Sequence, residues 1–138
     1  MADVAGKSIP AALLMATFQA GLKTLSSTPS SLVELVGGMN RYACSNSQSG
    51  LRYITAFLGE HEPATRTFAY INAGHNQPLV RRKSRLIERL DMGGLPLGIK
   101  ADAMYQAGSV TLEAGDWLVV FTDGVSETRR SMTTLPAC

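Results

Sequence analysis

The second half of the chain is a series of short β-forming segments separated by tight turns, and this alternation constrains the fold more than any other feature. The segments cover residues 51–58, 67–72, 78–82 and 86–90, and a final pair covers residues 105–112 and 117–122. Such short links predict antiparallel pairing, because parallel strands need a long crossover connection. We expect the final pair to form a hairpin. The glycine- and proline-rich stretch at 93–98 predicts an irregular loop.

Two segments with helical periodicity precede this region. Ser8 or Ile9 can cap a first helix, with Pro10 at its first position and its end near residue 26. Ser30 or Ser31 can cap a second helix. These patterns predict an α+β fold in which two helices pack against an antiparallel sheet.

Composition and charge narrow the class of protein. With 138 residues, of which 45% are hydrophobic and 17% charged, the chain can bury a core and is not of the disordered type. The net charge of +2 is small and the cations are scattered, so we expect no nucleic-acid partner. Cys44 and Cys138 lack the spacing of a zinc site.

The beginning of the chain allows two interpretations. Lys7 precedes an apolar stretch at 9–18, as in a signal peptide, but Asp3, Pro10 and Gln19 interrupt that pattern. No segment approaches the roughly 20 apolar residues that a membrane span requires. We therefore expect a cytoplasmic protein without a membrane span in this segment.

Asp123 follows the most apolar strand pattern, at 117–122, and precedes Gly124. A carboxylate at the exit of a buried strand is held rigidly, and the glycine lets a ligand approach. Mg²⁺ and Mn²⁺ are bound by such oxygen ligands. An Asp-Gly pair is also an ordinary turn. Asp3 lies in a glycine-containing loop before the first helix, where it is either a second metal ligand or a solvated or capping carboxylate.

Four motifs occur in a fixed order along the chain. They are DVAGKSIPAALLMA from Asp3, NAGHN from Asn72, GLPLGI from Gly94 and GDWLVVFTDGVSE from Gly115. Together they closely resemble the bacterial PPM-type (PP2C-like) serine/threonine phosphatases of the SpoIIE/RsbU group. The resemblance extends from Asp3 to about Arg129, which is nearly the whole chain.

The resemblance implies an α-β-β-α sandwich, in which two antiparallel sheets lie face to face and are covered by helices. It also implies a centre of two Mn²⁺ or Mg²⁺ ions that activates a water molecule, so that no protein nucleophile is needed. By motif match, Asp3 would bridge the two ions, the Val4 carbonyl would ligate one of them, and Asp123 would hold the other.

Two further residues of the motifs are accessory candidates. His75 either lies near the site as a hydrogen-bonding or proton-transfer group, or is a turn histidine that satisfies backbone groups. Lys7 either meets the phosphate electrostatically or is simply a loop cation.

The chain departs from the family pattern at both ends. Members carry an acidic strand upstream of the Asp3 motif and a further Asp-Asp strand downstream, whereas only fifteen residues follow Asp123. We therefore expect an incomplete sandwich, with a partial phosphatase domain over residues 1–130. Residues 131–138 are expected to be an irregular tail, produced by truncation or a reading-frame artefact.

The expected function follows from the resemblance. It is metal-dependent hydrolysis of phosphoserine or phosphothreonine on a regulatory protein such as an anti-sigma-factor antagonist, impaired in this fragment. A regulatory or sensor domain is expected in the full-length protein. The alternative is a non-catalytic protein-interaction fragment or pseudophosphatase.

Overall fold

The computed structural model describes residues 1–5, 9–28, 30–47 and 52–126. The predicted helix cap Ser8 and the predicted tail at 131–138 lie outside the described residues. The elements, in chain order, are β1 (Ala2–Val4), α1 (Ile9–Ser26), α2 (Leu32–Asn46), β2 (Ile54–Glu62), β3 (Thr67–Ala73), β4 (Leu79–Arg81), β5 (Ile87–Arg89), β6 (Gly93–Gly94), β7 (Gly108–Thr111), β8 (Trp117–Val119) and α3 (Asp123–Ser126).

Both long helices form where the apolar periodicity predicted them. Helix α1 begins at Ile9, one residue before the expected start, and ends at Ser26. Ser31 is the N-cap of α2: its hydroxyl accepts the Glu34 N–H at 3.2 Å, and the Glu34 carboxylate accepts the Ser31 N–H at 2.8 Å. This reciprocal capping box satisfies two backbone donors at the helix start. Neither helix of the described part is long and apolar enough to cross a bilayer.

The strands form two sheets, so the single sheet expected from the residue pattern is wrong and the two sheets implied by the resemblance are observed. The first sheet has the order β1-β2-β3-β6, with β7 also paired to β3, and the second has the order β5-β4-β8. The strand pairings are antiparallel except that of β3 with β6, which is parallel. Strand β6 falls within the stretch that was expected to be an irregular loop.

The predicted final hairpin is also wrong, because β7 pairs with β3 and β8 pairs with β4. The turn between them carries the chain from one sheet to the other. Arg82 fixes this crossing: its Nη1 donates to the Thr111 carbonyl at 2.6 Å and to the Asp116 carboxylate at 2.7 Å. Asp116 in turn accepts the Glu113 N–H at 3.0 Å. A tight turn sets the local chain reversal, and these contacts between residues distant in sequence stabilise the crossing.

The turn between β2 and β3 lies later than the sequence pattern indicated. Strand β2 continues through Glu62, so the turn covers residues 63–66 rather than 59–63. Gly59 is part of strand β2, and the ring of Phe68 packs directly against its backbone. A Cβ at this position would lie 2.3 Å from that ring. The glycine therefore serves a close cross-strand approach and not a turn.

The first half of β2 and the second half of β3 are buried on both faces, which creates three layers. Alternate residues such as Ile54 and Ile71 face the two helices, in the larger core cluster. The residues between them, including Phe57 and Tyr70, pack against Val80 of the second sheet. The period of two along each strand thus separates a helix–sheet core from a sheet–sheet core.

The outer face of the second sheet is exposed in the part of the chain that the structure describes. Trp117 is 65% exposed there and Ile87 is 57% exposed. The described part is therefore an α-β-β arrangement, which agrees with the incomplete α-β-β-α sandwich that was expected.

Asp116 gives the junction between the sheets a pH dependence. Its side chain is only 3% exposed. The N–H of Glu113, the guanidinium of Arg82 and the N–H of Lys83 hold the pKa of this carboxyl below its ordinary value. A carboxyl with a lowered folded-state pKa stabilises the fold above its ordinary pKa, and this contribution is lost as the pH falls through the folded-state pKa.

We therefore expect Asp116→Asn to lower the free energy of unfolding at pH 7. The variant should also lose less stability than the unmodified chain when the pH falls below about 4. Urea unfolding at a series of pH values measures both effects. Asp102→Asn is a suitable control, because its side chain is 77% exposed and its only described ion pair, with Lys100, lies at the surface. If the free energy of unfolding falls equally in Asp116→Asn and in the unmodified chain as the pH drops below about 4, this account is contradicted.

Candidate metal site

An open cleft of about 650 Å³ brings together the ends of four strands. Residues of the cleft come from the end of β1, the start of β2, the turn after β3 and the segment after β8. Asp3, Val4, His75 and Asp123 all line it, although Asp3 and Asp123 are far apart in the sequence. Lys7, the other predicted accessory residue, lies outside the described residues.

The pairing of β1 with β2 positions the first two of these residues. Asp3 lies directly opposite Thr55, and the Ala5 N–H donates to the Tyr53 carbonyl at 3.0 Å. Hydrogen bonds of an antiparallel edge strand alternate between its two sides, so the Val4 carbonyl points away from β2 toward the open edge. The Val4 side chain, by contrast, is buried in the core under the helices. The backbone oxygen of Val4 is therefore available to a ligand.

Asp123 reaches the cleft from the second sheet. Strand β8 ends at Val119, opposite Leu79. The next residue on the β4 side is Pro78, which has no N–H to donate and whose carbonyl accepts the Leu90 N–H. The strand is thus shorter than the apolar run at 117–122 predicted, and an irregular segment leads from it to Asp123 at the start of α3. The Asp123 side chain is exposed and lines the cleft.

The chemistry of these groups suits a hard divalent cation. Two carboxylates and a backbone carbonyl are the oxygen donors that Mg²⁺ and Mn²⁺ prefer. Within residues 1–5, 9–28, 30–47 and 52–126, however, no group of three His, Cys, Asp or Glu side chains could hold a metal ion. Asp3, Val4 and Asp123 therefore fit part of a ligand set.

His75 lies in the wall of the cleft and is 7% exposed. Its backbone N–H donates to the Asn72 Oδ1 at 2.8 Å, and its ring Nδ1 lies 3.5 Å from the Thr55 hydroxyl. The other ring nitrogen, Nε2, is buried and has no hydrogen-bond partner among the described residues. A buried polar atom without a partner is unusual in a folded protein and calls for an explanation.

The electrostatic surroundings of His75 favour its neutral form. Burial, followed by the positive charge of the Met1 amino group, lowers the pKa of the imidazole below its ordinary value. The Phe121 carbonyl and the carboxylates of Asp3 and Asp123 act in the opposite direction without reversing the shift. The Phe121 carbonyl thus lies near the ring, although the Nε2 forms no hydrogen bond among the described residues.

Two residues of the cleft were missed by the sequence analysis. Thr55 and Tyr53 line it from the start of β2. Thr55 places an aliphatic hydroxyl between the apolar residues Ile54 and Ala56, which is the signal that could have identified it. Its position opposite Asp3 depends on strand register, which local patterns do not specify.

Comparisons with known proteins identify the family to which the chain is similar. The model of the family described as stage II sporulation protein E (SpoIIE) matches residues 1–136. The chain is 34% identical over 130 residues to the phosphoserine phosphatase RsbU of Bacillus subtilis (strain 168), covering 94% of the chain and 38% of that protein.

Two solved structures share the fold. The crystal structure of the RsbU and RsbW domains of Rv1364c from Mycobacterium tuberculosis matches with a TM-score of 0.78 and 25% identity, covering 91% of this chain and 35% of that one. The crystal structure of RsbX in complex with magnesium matches with a TM-score of 0.71 and 21% identity, covering 89% of this chain and 58% of that one. The chain thus spans 38% of its curated relative and 35% to 58% of these structures.

Proposed function

The chain belongs to the SpoIIE family, and on that premise we propose that it carries part of a metal-dependent phosphatase that hydrolyses phosphoserine or phosphothreonine on a regulatory protein. The observation that carries the proposal is the meeting of Asp3 and Asp123 in one open cleft. A phosphorylated side chain on the surface of another protein can enter such a cleft. The name of the relative, a phosphoserine phosphatase, supports the same substrate class.

The chain's own groups would hold Mn²⁺ or Mg²⁺ through the carboxylates of Asp3 and Asp123 and the carbonyl of Val4. When bound, two such ions supply an acidified water and neutralise negative charge on the phosphoryl oxygens. Strand β1 fixes Asp3 and the Val4 carbonyl along the open edge of the first sheet, and the segment after β8 presents Asp123 across from them. The magnesium in the RsbX structure supports the choice of a hard cation.

The biological setting follows the relatives. A phosphorylated anti-sigma-factor antagonist is the substrate we propose from the resemblance of the four motifs to the SpoIIE/RsbU group, and the name of the relative, a phosphoserine phosphatase, supports the phosphoserine part of it. Because the chain spans only 38% of RsbU, a regulatory or sensor domain in the full-length protein is part of the proposal. We place this activity in the cytoplasm.

A second function, non-catalytic binding of a protein partner, is favoured by one observation. The described residues provide only two carboxylates at the cleft, and no third side chain completes a metal-binding group in that part of the chain. A pseudophosphatase would retain the fold and the cleft without the turnover.

Phosphate release from a phosphoserine peptide distinguishes the two functions. We expect release in the presence of Mn²⁺ or Mg²⁺ and none after chelation with EDTA, because the proposed nucleophile is a water molecule activated by the metal ions. A protein that binds the phosphopeptide but releases no phosphate with either metal would support the non-catalytic function instead.

A further inference from the structure

His75 lines the cleft together with Asp3 and Asp123, and it lies near both chain segments that bring these carboxylates there. On one side is strand β2, which pairs with the strand that carries Asp3. On the other side is the segment after β8, which leads to Asp123. A residue in this place can control how the two carboxylates are arranged without touching a substrate.

The contact toward Asp3 passes through Thr55. The Thr55 hydroxyl lies 3.5 Å from the His75 Nδ1 and 3.5 Å from the Asp3 carbonyl oxygen. Both distances are at the long limit of hydrogen bonding, and the single hydroxyl proton can serve only one acceptor at a time. When that proton is donated to the Nδ1, the link to β1 is the strand pairing of Thr55 with Asp3 and not the hydroxyl itself.

The backbone of His75 is held independently of its ring. The Asn72 Oδ1 accepts the His75 N–H at 2.8 Å, and the Asn72 Nδ2 donates to the Leu90 carbonyl at 3.3 Å. Asn72 is itself only 5% exposed. These two hydrogen bonds hold the turn after β3 in place. The backbone of His75 is therefore fixed even without a contact of its ring.

On the side of Asp123, the atom of interest is the ring Nε2 of His75, which lacks a hydrogen-bond partner among the described residues. The Phe121 carbonyl lies near the ring, two residues before Asp123, yet the His75 Nε2 is buried without a hydrogen bond in the described part. A buried N–H that lacks an acceptor is destabilising, so a small approach of this segment would be favoured. Catalytic-site hydrogen bonds are often long before a ligand is bound and tighten afterwards.

We propose that His75 is a positioning residue whose Nδ1 accepts the Thr55 hydroxyl proton and whose Nε2–H is directed at the Phe121 carbonyl, so that it holds the Asp123 segment against the strand that carries Asp3. This inference rests on the proposed function, because it assigns to that arrangement the role of bringing two metal-binding carboxylates together. His75 touches neither the substrate nor the reacting atoms in this role.

Hydrogen exchange of the metal-free protein, followed by mass spectrometry, tests the linkage directly. We expect the amides of residues 120–124 to exchange about tenfold faster in His75→Ala and in Thr55→Val, because the segment loses its anchor. Thr55→Ser keeps the hydroxyl and should retain slow exchange. His61→Ala is the matched control, since His61 is an exposed histidine of β2.

Calorimetric titration with Mn²⁺ on the same variants gives a second readout. Loss of a partner that orients metal ligands typically weakens metal affinity about 10- to 100-fold, and we expect a loss of this size for His75→Ala and Thr55→Val but not for Thr55→Ser. Unchanged exchange in both His75→Ala and Thr55→Val would overturn the proposal. So would a His75→Ala protein that has lower turnover but normal exchange and Mn²⁺ affinity, which would indicate proton transfer.

The two readouts separate this inference from the proposed function. If no form of the protein binds Mn²⁺, the proposed function fails, while the exchange rates still decide whether His75 anchors the Asp123 segment. If His75→Ala does not fold, the exchange rates of residues 120–124 in Thr55→Val and Thr55→Ser test the proposal instead. Valine has nearly the same shape as threonine but lacks the hydroxyl. Equal exchange in these two variants would then contradict the proposal.

Discussion

Asp123→Asn is expected to lower Mn²⁺-dependent hydrolysis of a phosphoserine peptide by on the order of a hundredfold or more. Asparagine has nearly the size of aspartate but carries no charge, so the cleft keeps its shape and loses half of its described side-chain carboxylates. The loss should appear in turnover at saturating peptide, because the proposed role of Asp123 is to hold a metal and not to bind the peptide. Steady-state phosphate release at several Mn²⁺ concentrations measures it.

The matched control for this change is Asp102→Asn. Asp102 is also an aspartate, but it does not line the cleft and its side chain is 77% exposed. We expect this variant to hydrolyse the peptide at the rate of the unmodified chain. Full activity in Asp123→Asn, or an equal loss in Asp102→Asn, would be incompatible with a metal-binding role for Asp123.

Gly93→Ala is expected to destabilise the fold by on the order of 3 kcal/mol or more. A Cβ at Gly93 would lie 1.8 Å from the Asn72 carbonyl oxygen. That oxygen belongs to the backbone of β3, which is tied to the same region by the hydrogen bond from the Asn72 N–H to the Met92 carbonyl at 2.8 Å. Both contacting groups are backbone, and neither can shift without a large cost in free energy. The added methyl group would therefore separate β6 from β3. Urea unfolding measures the change in free energy.

Gly37→Ala provides the control with the opposite sign. Gly37 lies inside α2, and a Cβ there would meet only the Arg41 guanidinium, at 3.5 Å. Alanine is favoured over glycine in helix interiors by about 1 kcal/mol, so this variant should be more stable than the unmodified chain. If Gly93→Ala unfolds at the same urea concentration as the unmodified chain, the close packing of β6 against β3 is not as described.

Local patterns predicted the elements of the fold better than their partners. The two helices, the Ser31 cap and the β4–β5 hairpin are decided by periodicity, capping chemistry and short links, which are all local. The final hairpin was predicted wrongly because β7 and β8 are separated by a real turn yet join different sheets. The crossing is stabilised by Arg82, which lies about thirty positions earlier in the sequence, and local patterns do not reveal such a contact.

The candidate site was also predicted only in part, because some of its residues are identified by motifs and others by strand register. Asp3, Val4, His75 and Asp123 were proposed from ordered motifs, and the fold places all four at one cleft. Their roles as metal ligands or accessory groups stay predictions. Thr55 was missed because its position opposite Asp3 is a matter of register between β1 and β2.

Calorimetric titration of the chain with Mn²⁺ tests most directly whether the cleft is a metal site. We predict saturable binding by the unmodified chain. The affinity should be weakened at least about tenfold in Asp3→Asn and in Asp123→Asn, and unchanged in Asp102→Asn. Absence of Mn²⁺ binding by the unmodified chain, or equal affinity in the unmodified chain and both cleft variants, would contradict the assignment of Asp3 and Asp123 as metal ligands.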